Sequence, residues 1–111
     1  MTGRLPAHIE VAGLIRAAEA AGGFAMVVQK GEKDAGVIHI LTLERGGNSR
    51  FWERMPRLDG TRVFQSVKEE NPENKEEFTS YVEKRRRQDP DSWIVELDIA
   101  HPAQLIADWA G

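Results

Sequence analysis

Glycine-centred turn signals cut the stretch between residues 24 and 67 into four short segments, and this punctuation limits the fold more than any other feature. Gly31 and Gly36 bracket a polar loop, Gly46-Gly47-Asn48 supplies residues that tolerate positive φ, and Asp59-Gly60 is a strong hairpin signal. Between them lie Phe24-Ala25-Met26-Val27-Val28-Gln29, the β-branched run from Val37 to Glu44, a segment of about Arg50 to Met55 stopped by Pro56, and roughly Thr61 to Val67. Four strands spaced so closely favour an antiparallel meander over a parallel sheet with crossover helices. The unbroken apolar run of the first strand predicts burial on both faces, and the second strand is expected to be central.

Helical periodicity flanks this region. Ile9, Val11, Leu14, Ile15 and Ala18 recur at near-helical spacing before the Gly22-Gly23 stop, although His8-Ile9-Glu10-Val11 also alternates and leaves the first turn open to a short strand. The second helix is better specified: Asn71 is the expected N-cap, Pro72 suits the first position, and Glu73, Glu76 and Glu77 favour the positive end of the dipole. Phe78, Tyr81, Val82 and Arg85 form its inner stripe, Lys84 to Arg87 compensate the C-terminal dipole, and Asp89-Pro90-Asp91 ends it. Trp93, Val95, Leu97 and Ile99 alternate as one strand face, and Pro102 opens a short helix carrying Leu105, Ile106 and Trp109.

The expected class is α+β: about five strands in an antiparallel sheet, in the order α-β-β-β-β-α-β-α, with the second helix on one face. The first helix is expected to cover the same face or an edge. The 111 residues suit one domain, with a core of residues 9–99 and a tail of residues 100–111. With 41% hydrophobic and 30% charged residues the chain has the composition of a folded protein rather than a disordered one. Having no cysteine, it cannot use a disulfide, a thiol nucleophile or a thiolate metal site. The longest apolar stretch, Ile9 to Val28, carries Glu10, Arg16 and Glu19, which disqualifies it as a leader core or membrane span and points to the cytoplasm.

Three segments resemble one family. Arg16-Ala17-Ala18-Glu19-Ala20-Ala21-Gly22-Gly23-Phe24-Ala25, the loop Gly31…Asp34-Ala35-Gly36, and Asp89-Pro90-Asp91-Ser92-Trp93-Ile94-Val95-Glu96 look like the small alphaproteobacterial domain-of-unknown-function family numbered 1491. The similarity spans about residues 9–99. It implies a short bacterial cytoplasmic α+β protein without an established activity, so no catalytic residue carries over.

Chemical signatures are sparse. His8, His39 and His101 form no local ligand pair, so neither a metal nor a cofactor is expected. Ser49, Ser66, Ser80 and Ser92 occupy no nucleophile elbow, and Asp89 and Asp91 read as turn formers beside Pro90. The Gly31–Gly36 loop lacks a nucleotide-binding spacing and reads as a plain hairpin connection.

The basic residues stand out more. Arg45, Arg50, Arg54, Arg57 and Arg62 surround the hairpins against only Glu53 and Asp59. Alternation puts Arg50, Trp52 and Arg54 on one strand face, either a platform for bases and phosphates or a tryptophan screened by arginine stems. The net charge of −3 weighs against nucleic acid. A domain this small also leaves little interior for a cofactor cavity.

The expected function is therefore a non-catalytic protein-interaction module, with a protein partner or a second copy meeting a surface of Arg50, Trp52, Arg54, Arg57 and Trp109. RNA or single-stranded DNA on the Arg50/Trp52/Arg54 face is the alternative, and a small hydrolase or transferase using His39 or Asp34 is the second. Exposure of Trp52, Trp93 or Trp109 beside arginines is the feature that would single out a surface.

Overall fold

A computed structural model describes residues 5–110, ordered as α1 (Ala7–Ala20), β1 (Phe24–Gln29), β2 (Ile38–Glu44), β3 (Gly47–Pro56), β4 (Arg62–Glu69), α2 (Lys75–Gln88), β5 (Trp93–Asp98) and α3 (Pro102–Ala110). The N-terminal run Met1-Thr2-Gly3-Arg4, which leads straight to Glu10 without an uncharged leader core, and residue 111 lie outside the described residues. Among the described residues no helix is long and apolar enough to cross a membrane.

The α+β class and the order of elements match the sequence reading, but the sheet is mixed. Its strands run β1-β5-β2-β3-β4, so β5 inserts between β1 and β2, and only β2-β3-β4 form a meander. β5 is parallel to β2, with Ile40 beside Val95, and antiparallel to β1, with Ala25 beside Leu97. The Gly31–Gly36 loop is therefore a crossover past β5 and not a hairpin connection.

Each face of the sheet has its own helix layer. Ala7, Val11, Leu14 and Ala18 line the inner stripe of α1 and meet Ile38, Ile40, Trp52, Val95 and Leu97, with Ile106 of α3 completing that core. On the opposite face Phe78 and Val82 of α2 cover Leu41, Phe51 and Ile94. α1 thus lies across the sheet from α2, contrary to the expectation of a shared face. Two apolar layers explain why Trp93-Ile94-Val95 is a continuous apolar run: β5 is buried on both sides. At roughly 1.5–3 kcal/mol per buried large aliphatic side chain, Leu14, Ile40, Ile94 and Leu97, all at 0% exposure, are leading contributors to stability.

β1 departs furthest from its sequence reading. It is an edge strand, and Phe24, Met26 and Val27 are 79%, 55% and 38% exposed. Two termini also shift. The first turn of α1 is helical from Ala7, and its first two amides donate to Asp34 O and Lys33 O, both at 2.9 Å, in place of a side-chain cap. In α2 the cap is Asn74, whose side chain accepts from Glu77 N, whereas Asn71 forms the preceding turn by accepting from Glu73 N at 2.9 Å. The β2–β3 turn sits one residue early: Glu44 pairs with Gly47, and Arg45 and Gly46 take φ values of 54° and 79°. The tail docks on its own domain, with α3 against α1, β2 and β4.

Candidate functional site

Two of the three segments that carry the family resemblance, the Gly31–Gly36 loop and Asp89–Glu96, meet in space. Glu32 N donates to Asp91 O at 2.8 Å, and the Trp93 indole Nε1 donates to Glu32 O at 2.8 Å. From β1, Gln29 Nε2 donates to Ser92 O at 2.8 Å and to Asp89 O at 3.1 Å. Ser92 Oγ closes the turn by donating to Asp89 O at 2.8 Å. A Cβ on Gly36 would stand 2.6 Å from Glu32 O and 2.9 Å from Asp91 O, so glycine is what lets the two backbones approach. The polar groups are spent on one another. The cluster fastens the crossover loop to the start of β5 and reads as architecture.

His39 sits in the α2-side core at 4% exposure, its ring 5.3 Å from Phe51 and its Nδ1 without a hydrogen-bond partner. Burial, with the Arg85 guanidinium adding to it and Asp89 opposing, lowers its pKa to about 4. The imidazole is neutral near pH 7 and enclosed, which suits packing better than proton transfer to a substrate. Among the described residues no group of three His, Asp or Glu is placed to hold a metal ion.

The proposed surface residues are divided. Arg50, Trp52 and Arg54 do point to one side of β3, but that side faces α1 and α3. Trp52 is 7% exposed, its Nε1 donates to Thr42 Oγ1 at 2.9 Å, and it is a core residue rather than part of an open surface. Arg50 lies near the other end of the strand, 3.6 Å from Glu69 in an exposed ion pair. Arg57 is exposed in the turn between β3 and β4, where its amide donates to Thr61 O at 2.8 Å.

Arg54 and Trp109 come together. The Arg54 guanidinium lies 4.7 Å from the Phe64 ring centroid and 5.9 Å from that of Trp109, and Phe64 and Trp109 are 5.8 Å apart. Arg54 Nη2 donates to Glu10 Oε2 at 2.7 Å. Of the three tryptophans, Trp93 and Trp52 are buried and Trp109 is half-buried, so Trp109 is the one beside arginine at the surface.

Around this pair runs a groove of about 340 Å³. Leu5, Ile9 and Trp109 supply its apolar lining, together with Glu10, Arg16, Arg54 and Arg62. Sequence reading missed Ile9, Gly13 and Arg16, which line the groove from α1. Their spacing of four and then three residues defines a second helical stripe beside the core stripe, and this signal was present in the sequence. Nothing local in the sequence brings Glu10 to Arg54.

The family described as "Protein of unknown function (DUF1491)" matches residues 5–107. A crystal structure of a DUF1491 family protein from Caulobacter crescentus CB15 is 35% identical over 86% of this chain and 88% of that one, with a TM-score of 0.74. An NMR structure of a DUF1491 family protein from the same organism is 32% identical over 95% and 94% of the two chains, with a TM-score of 0.77. The solution structure of a protein from A. tumefaciens is 30% identical over 94% and 93%, with a TM-score of 0.74. No curated protein matches the chain.

Proposed function

We propose, from the premise that this chain belongs to the DUF1491 family of proteins of unknown function, that it is a non-catalytic protein-interaction module acting in the cytoplasm. Its binding surface is the groove beside Trp109. The observation that carries this reading is the half-buried Trp109 ring next to the Arg54 guanidinium, with Arg16 lining the same groove. An aromatic anchor flanked by arginines is the composition typical of interface hot spots. The exposed Arg16 adds positive charge beside the Arg54–Glu10 pair, on a chain whose net charge is −3. The partner is thus a peptide segment carrying acidic groups beside an apolar side chain.

Nucleic acid has less support, because Trp52, the base-stacking ring of that alternative, is 7% exposed. A hydrolase or transferase has less support again, since His39 is enclosed and neutral.

The test is selection of binding sequences from a random displayed peptide library. We expect the selected peptides to combine Asp or Glu with an aromatic or aliphatic residue, and to lose binding to Trp109→Ala and Arg16→Glu proteins. Peptides of another composition, or peptides indifferent to both substitutions, would refute the assignment.

A further inference from the structure

The two edges of the sheet are treated very differently by the sequence. β4, at one edge, carries Arg62, Lys68 and Glu69, the kind of charge that deters pairing with another chain. β1, at the other, reads Phe24-Ala25-Met26-Val27-Val28-Gln29, without a charge or a proline. Its register shift begins only after Val27, so Phe24 to Val27 pair regularly with β5 on their inner side. Among the described residues no strand pairs with their outer side, which is flanked by the exposed Phe24 and Met26 side chains.

We infer that β1 is a self-association edge, on which a second copy of the chain adds its own β1 antiparallel to form a ten-stranded sheet. Charge placement selects both the partner and the direction. Phe24 and Met26 lie beside Asp98 and Glu96 of β5, so the start of β1 is bordered by carboxylates, while its end runs into the exposed Lys30. Antiparallel pairing brings Lys30 of each copy level with the carboxylate end of the other. Asp98 then lies about 10 Å away, two strand spacings and about one Debye length at 0.1 M salt, a distance that the flexible lysine side chain shortens. Parallel pairing would set Lys30 beside Lys30.

The symmetry also covers the exposed side chains. A two-fold axis normal to the sheet places Phe24 and Met26 of both copies on the same face, where they pack together between the two α2 helices. This interface is distinct from the Trp109 groove and stands or falls separately from it.

Sedimentation equilibrium of the full chain over a wide concentration range tests the inference. Wild-type protein is expected to dimerise, and Met26→Lys to weaken the dimer at least about tenfold with an unchanged circular-dichroism spectrum. Phe24→Lys serves as a second variant at a still more exposed position, and Gln65→Lys on β4 should leave the dimer intact. Hydrogen exchange should show the outward-pointing amides between Phe24 and Val28 protected in the dimer and released in the Met26→Lys protein. A monomer at every concentration would overturn the inference, as would a dimer indifferent to both β1 lysines or equally weakened by Gln65→Lys. Protection of β1 gained only on adding an unrelated extended peptide would also overturn it, by assigning the edge to another partner.

Discussion

Arg54 of β3 grips Glu10 of α1, with Nη2 on Oε2 at 2.7 Å and Nη1 on Oε1 at 3.4 Å, and this fork ties the helix layer to the sheet. Both side chains are largely covered, at 13% and 19% exposure, so neither charge is readily hydrated if the other is removed. Glu10→Ala or Arg54→Ala alone should cost about 1–3 kcal/mol in urea unfolding. The double change to leucine should cost less than the sum of the two single changes.

His39 should make stability depend on pH. Its folded pKa is lowered from the ordinary 6.5 to about 4, so between these values the unfolded chain binds the extra proton. Stability is then full above about pH 6.5 and declines as pH falls toward 4, by on the order of 2 kcal/mol. The measurement is urea unfolding across that window. His39→Leu should flatten the slope.

Gly36→Ala should be among the costliest glycine substitutions, because its Cβ would lie 2.6 Å from Glu32 O and 2.9 Å from Asp91 O, both on backbone that cannot swing aside. A loss of more than about 2 kcal/mol is expected on thermal unfolding. Gly46→Ala meets no atom within 4 Å, and its cost should be confined to the positive φ of 79°, about 1 kcal/mol.

The position of the α2 cap can be read by mutation. Asn74→Ala should cost about 1 kcal/mol and reduce helicity. Asn71→Ala should cost less, since it loses only the turn bond to Glu73 N at 2.9 Å. Equal losses would mean that the helix starts at Pro72.

The class, the order of elements and the family were legible in the sequence because they rest on local signals: turn glycines, apolar period and three short motifs. Strand neighbours were not. The run Phe24 to Gln29 has the composition of a doubly buried strand, and only the strand order, with β5 as its one neighbour, shows it to be an edge. The choice of sheet face for α1 is equally non-local, since Val11 and Leu14 specify an apolar stripe without specifying what it meets. At the candidate site, alternation correctly grouped Arg50, Trp52 and Arg54. It did not reveal that α1 and α3 roof that side. Counting arginines likewise overlooked carboxylates from distant segments: Glu10 for Arg54, and Glu69 for Arg50.

The placement of β5 sets the timetable of assembly. It is synthesised after the other four strands, yet it joins β1 to everything else in the sheet. A nascent chain of about ninety residues holds an orphan strand, the β2-β3-β4 meander and two helices that lack the β5 part of their docking surface. Cooperative folding therefore waits until β5 has been made, and a chain cut short before Trp93 leaves β1 without its partner in the sheet.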